Sequence, residues 1–244
     1  MKLPRQTRDA REGMSAEESH AFTLIELLVV IAIIGLLAAL IIPLAGIATT
    51  KMRIARVQAE LSNYANAIEN YKLETGEYPQ DNSFLKNMNT SDTNAYKSNS
   101  AHHALFYELT GAVFTNLGGT PKFLSLQNSD QVVPQDLKDV FNANGIRNSA
   151  RARNDIDYKG FSLKDSQYEQ LSKNDYSYAS EKLQVIAVPV PGPYTLAGGI
   201  DGKKPINPWF YDASSTNRHN KTGFDLWAEI NVGSKTEVIA NWKK

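Results

Sequence analysis

From Leu27 to Thr50 the chain carries no charged side chain, and a single carboxylate, Glu26, stands at the head of that run. The run is 24 residues long. As a helix it would measure roughly 36 Å at about 1.5 Å per residue, against a hydrocarbon core about 30 Å thick. One membrane-spanning helix is the expectation, because in lipid each backbone polar group must find its partner within the segment. An ionisable group in such a segment costs about 2.5–3.5 kcal/mol on insertion scales, so Glu26 reads as a functional residue. A secretory signal peptide also joins a charged start to an apolar core. Its core, however, runs about 7–15 residues with small residues beyond it. Here the run is longer, and the small residue, Ala21, precedes it.

The flanks do not orient the span. Lys2, Arg5, Arg8 and Arg11 precede it and Lys51, Arg53 and Arg56 follow it, too even a division for the positive-inside rule. Met1 and Met14 both serve as possible starts, and Met14 would delete all four leading cations. Gly35 and Pro43 interrupt the span. Proline removes one helix hydrogen bond and glycine adds backbone freedom. They read either as breakers of the kind membrane helices tolerate or as a segment built to soften or stretch when packed.

Past Lys51 the pattern turns amphipathic. Ile54, Val57, Leu61, Tyr64, Ile68 and Tyr71 recur at steps of three and four, one apolar stripe on a helix. Arg53, Arg56, Glu60, Asn63, Asn66 and Asn70 mostly take the other faces. Gly76 is placed to end the helix, with Pro79 just beyond. The prediction is one helix from near Thr23 to about Glu74, roughly 78 Å long at about 1.5 Å per residue. Its stripe would pack on a head. Helical patterns are expected at 101–109 and 136–142, and strands at Leu183–Val190, Phe224–Ile230 and Val238–Trp242. The polar stretches 86–100 and 142–180 read as loops. The expected fold class is α+β: a long N-terminal helix packed on a small antiparallel sheet with long loops.

Composition narrows the functions. The 26 basic residues balance 26 acidic ones, so no nucleic-acid partner is expected. Cysteine is absent, which removes disulfides, thiol catalysis and zinc–thiolate sites. Adjacent His102 and His103 point different ways on a helix, unlike a metal-binding i, i+4 pair, and are read as surface residues; His219 has no ligand-like spacing. Asp155 to Gly160 begins like a calcium loop, but Lys159 takes a ligand position and Ser166 stands where a glutamate is needed. Gly118-Gly119 and Gly198-Gly199 lead into no phosphate loop, and no nucleophile elbow is present. No catalytic residue and no metal ligand is assigned, and the chain is not expected to be an enzyme.

Ala21-Phe22-Thr23-Leu24-Ile25-Glu26-Leu27-Leu28-Val29-Val30 resembles the cleavage and methylation motif of the type IV pilin-like family, especially the G-type pseudopilins of type II secretion. Tyr71 to Pro79 is similar to that family's helix exit. Asn207-Pro208-Trp209-Phe210-Tyr211, Gly223-Phe224-Asp225-Leu226-Trp227 and Asn241-Trp242 are similar to the G-type ending. About half the chain, the middle, matches no named pattern. The resemblance implies cleavage between Ala21 and Phe22 by a membrane prepilin peptidase, followed by N-methylation of Phe22. The family normally has glycine before the cut; alanine stands here. It implies that Glu26 faces the Phe22 amine of a neighbouring subunit during assembly, and that Gly35 and Pro43 sit where related filaments lose helicity. G-type proteins often hold calcium in a C-terminal loop. Here the loop after Trp227 lacks the expected Asp-Gly and later Asp; Glu229, Asn231 and Glu237 could supply oxygens, so the reading is no cofactor, with calcium there as the less favoured alternative.

The implied organisation is a leader over 1–21, a membrane half-helix over 22–50, an amphipathic half-helix over 51–76, and a soluble head over 77–244 with an enlarged region, 80–205. The implied location is the inner membrane, crossed once, with the head extracytoplasmic. The implied partners are further copies in a filament, other pilin-like subunits, the peptidase, the membrane, and an assembly platform with its ATPase. The leading reading is a structural subunit of a pseudopilus or pilus-like filament. The alternative is a membrane-anchored extracytoplasmic binding module that uses the 80–205 region.

Overall fold

A computed structural model describes residues 22–88 and 92–243, with backbone alone at 42–45 and 117. The leader, Ala21 and the choice between Met1 and Met14 lie outside the described residues. The chain divides into two compact units, which meet between Ala48 and Thr49.

The described part of the first unit, residues 22–48, carries the opening part of α1 (Leu24–Thr75). It is long and apolar enough to cross a membrane, and its apolar window is wholly uncovered. Phe22, Leu24, Ile25, Leu36 and Ile41 all stand exposed. Helix is assigned through both Gly35 and position 43.

In the second unit α1 behaves as its spacing requires. Val57, Leu61, Tyr64, Ile68 and Tyr71 are buried, and Ile54 is partly so. Glu60 differs from the expectation: it too is buried, because it sits on the flank of the stripe, tied to Arg56 at 3.4 Å. Gly76 ends the helix in the left-handed region, φ +85°, with its N–H on the Lys72 carbonyl at 2.8 Å, a conformation that glycine adopts without strain.

The stripe packs into an α+β head. After α2 (Thr93–Ala101) and α3 (Leu105–Thr110), a four-stranded sheet forms from β1 (Ala112–Thr115), β2 (Lys122–Ser125), β3 (Gln131–Val132) and β4 (Ser149–Ala150). Its order is β3-β2-β1-β4, antiparallel except for the β1–β4 edge. Between β3 and β4 lies α4 (Pro134–Phe141), opened by proline at its first turn. Two ribbons follow. One is β5 (Tyr168–Gln170), followed in the chain by α5 (Lys173–Tyr176), with β6 (Gln184–Ile186); the other is β7 (Leu196–Gly198) with β8 (Lys204–Ile206). The chain closes on β9 (Phe210–Asp212), β10 (Asp225–Val232) and β11 (Lys235–Ala240), an antiparallel sheet ordered β11-β10-β9.

Two expectations about the elements also need correction. The strand expected at 183–190 is only three residues long, because its partner ends at Tyr168 opposite Ile186 and the chain then changes partner, with Ala187 bridging to Pro208 and the Val188 N–H donating to the Asn207 carbonyl. The stretches 86–100 and 142–180 are not free loops. α2 lies in the first, and Ile156, Tyr158, Leu163, Leu171 and Tyr178 of the second are buried. Their apolar residues are too sparse for a periodicity yet sufficient to anchor irregular chain in the common core.

Candidate assembly site at the start of the long helix

Thr23 is the N-cap of α1. Its carbonyl accepts the Leu27 N–H at 3.2 Å. Its hydroxyl accepts the Glu26 N–H at 3.3 Å, while its own N–H and hydroxyl donate to Glu26 Oε2 at 2.8 and 2.7 Å. This is a reciprocal capping box. It also sets a carboxylate beside the positive end of the helix macrodipole. The pattern Thr23-x-x-Glu26 is legible in the sequence, and the reading of Glu26 as a lone carboxylate overlooked it. Both bonds to the Glu26 carboxylate fall on Oε2. Oε1 has no partner among the described residues, and the side chain is exposed. The site therefore holds one carboxylate oxygen fixed and presents the other.

The remaining assigned residues fall as follows. Phe22 precedes the cap and is 84% exposed. A Cβ placed on Gly35 would meet nothing within 4 Å, so packing within this chain gives no reason for glycine there. Position 43 is helical backbone. Phe22, Thr23 and Glu26 are thus brought together at the start of α1; Gly35 and Pro43 lie further along it.

Elsewhere His103, Glu108 and Asp81, buried groups that could suggest chemistry, are already engaged. His103 is not a surface residue: it is 1% exposed. Its Nε2 lies 3.0 Å from the Trp209 carbonyl, and its Nδ1 accepts the Leu105 N–H. Burial pushes it down to about 4, so it is neutral near pH 7. His102 is half-buried against Tyr176. Glu108 is wholly buried and accepts four donors: Tyr71 Oη at 2.8 Å, Gln80 Nε2 at 2.6 Å, and the backbone N–H groups of Arg147 and Asn148 at 2.9 and 3.1 Å. Burial raises its pKa against the pull of those donors. Asp81 accepts the Ala213 and Ser214 N–H groups and the Ser214 hydroxyl. Burial chiefly, with the nearby Asp212 charge, pushes Asp81 up to about 6. These carboxylates pin irregular chain to the core. Among the described residues no three histidine or acidic side chains are grouped to hold a metal.

Residues 19–42 match the family model described as the prokaryotic N-terminal methylation motif. The chain carries a prepilin-type methylation motif. Its capping box lies inside the matched residues. The chain is also similar to two proteins named type II secretion system core protein G. It is 34% identical to that of Pectobacterium carotovorum subsp. carotovorum over 83 residues, covering 33% of this chain and 52% of the relative. It is 33% identical to that of Pseudomonas aeruginosa over 66 residues, covering 27% and 46%. The chain thus spans about half the length of the curated relatives it matches. No solved structure matches it. Together, the motif and the one helix among the described residues that is long and apolar enough to span a membrane support membrane anchoring.

Proposed function

We propose that this chain is a pilin-like structural subunit of a type II secretion pseudopilus or a related pilus-like filament, anchored in the inner membrane with its head extracytoplasmic. The observation that carries the reading is the capped carboxylate at the head of an uncovered apolar helix, inside a prepilin methylation motif. Cleavage after Ala21 gives Phe22 a new α-amino group. The open Oε1 of Glu26 then receives that amine from the next subunit while Oε2 stays in the cap. In a low-dielectric bundle an unpaired carboxylate is costly, and a cation a few ångströms away offsets the cost. Because Gly35 has space around it in the single chain, a neighbouring helix can approach closely there. Pro43 leaves the helix short of one hydrogen bond, so the span can stretch in a filament. Other pilin-like subunits, the prepilin peptidase, a platform and an ATPase are the partners this reading requires.

The shared core favours this reading over a tethered binding module. The enlarged 80–205 region packs with α1 and the C-terminal sheet in a single cluster, so it is a built part of the head and not an appended domain. Mass spectrometry of the mature N-terminus tests the processing step. The proposal predicts a chain that begins at N-methylated Phe22. A retained leader, or a cut beyond residue 44, would contradict it.

A further inference from the structure

The C-terminal segment that would have to hold calcium, on the family resemblance, is a tight hairpin. β10 and β11 pair as far as Val232 with Lys235, leaving Gly233-Ser234 as a two-residue turn. Gly233 sits at φ +61° in the first turn position, as a type II′ connection demands. Glu229 pairs with Val238 and Glu237 with Ile230. Directly opposed residues share a face and successive ones alternate, so Glu229 and Glu237 point to opposite faces of the ribbon. The three residues Glu229, Asn231 and Glu237 therefore do not converge, while calcium takes about six to eight oxygens.

A side-chain cation meets Glu229 instead. Lys97 Nζ of α2 lies 2.7 Å from Glu229 Oε1 and 2.8 Å from Oε2. The Glu229 side chain is 7% exposed and that of Lys97 33%. The preceding residue grips the neighbouring strand. Tyr96 donates to Asp212 Oδ2 at 2.8 Å. Its ring lies parallel to Trp227 at 5.9 Å, and Trp227 in turn stacks on Phe210 at 5.0 Å. Two consecutive residues of α2 thus hold one buried carboxylate on β10 and one on β9. Asp92 caps the helix that carries them, accepting the Asn94 and Ala95 N–H groups.

We infer that α2 is an internal clasp on the C-terminal sheet, in which the Lys97 ammonium, together with Tyr96, does the work a bound divalent cation would otherwise do, so that the head needs no metal. A calcium ion at Glu229 would meet a carboxylate already neutralised by Lys97, whose ammonium would repel it. The inference stands on the head alone and holds whether or not the chain assembles into filaments.

The test is thermal unfolding of the full chain in detergent, followed by tryptophan fluorescence. Trp209, Trp227 and Trp242 are the chain's three tryptophans, and all lie in the head. The clasp predicts the same Tm in excess EDTA and in millimolar calcium. It predicts that Lys97→Met lowers Tm by about 5–15 °C in both, since it strands a buried carboxylate. Lys97→Met combined with Glu229→Met recovers much of that loss. Tyr96→Phe, which removes a single hydroxyl, lowers Tm by about 2–5 °C and serves where the lysine variant does not fold. A higher wild-type Tm in calcium than in EDTA would overturn the inference. So would an unchanged Tm in Lys97→Met or in Tyr96→Phe.

Discussion

At the scale of single residues, Glu26 does two things with its two oxygens. Oε2 closes the helix start with Thr23, and Oε1 has no partner among the described residues. These functions separate by mutation. Thr23→Ala removes the cap, worth about 1 kcal/mol, and should speed hydrogen exchange at the first amides of α1 about fivefold. Thr23→Ser, which keeps the hydroxyl, should leave exchange near wild type. Glu108 is the corresponding residue in the head, with Tyr71 of α1, Gln80 beyond it and residues 147–148 all donating to it. Glu108→Ala leaves buried donors unmatched and should cost about 3–5 kcal/mol in urea unfolding. Glu26 was legible because a charge in an apolar run is costly wherever it stands. Glu108 was not, since nothing around Phe106-Tyr107-Glu108-Leu109 tells a buried carboxylate from one on a wet helix face. His103 was misread for the same reason: its partner, the Trp209 carbonyl, is far along the chain.

At the scale of elements, local periodicity found α1, its stripe and its glycine stop, together with α3, α4 and the last two strands. Each has its pattern written in neighbouring residues. Strands of two to four residues, such as β1 to β4, carry too few positions for an alternation to register. α2 escaped notice because its sequence, Thr-Asn-Ala-Tyr-Lys-Ser-Asn-Ser-Ala, is polar. It is held by contacts of Tyr96 and Lys97 with residues more than a hundred positions away. The same reason hid the clasp: Glu229 was read as a possible metal ligand when its counter-ion came from a segment expected to be loop.

At the scale of the whole molecule, the head's acid response includes opposed groups, His103 and Asp81 among them. His103 is held down at about 4 in the fold against an ordinary 6.5. Its contribution to stability is full above pH 6.5 and is lost as pH falls through about 4. Asp81 is held up at about 6 against an ordinary 3.8. Its contribution is present below pH 3.8 and is lost as pH rises through about 6. Between pH 4 and 6 the two partly cancel. Asp81→Asn removes one of them, so the slope of its unfolding free energy against pH should be more positive than that of wild type across that window, by up to about 1.4 kcal/mol per pH unit. Urea titrations at several pH values would show this; equal slopes would contradict it. The described residues of the first unit are of another kind. Their apolar side chains are uncovered in the single chain and need lipid or other helices around them.

That need, joined to the open oxygen of Glu26, makes assembly the central claim. The direct measurement is incorporation of Glu26→Ala into filaments or pseudopili, beside wild type, in cells that lack the native copy. The account predicts that the variant is made, is membrane-inserted and keeps a protease-resistant head, yet is absent from sheared or extracted filaments. Incorporation of Glu26→Ala at the wild-type level would contradict it.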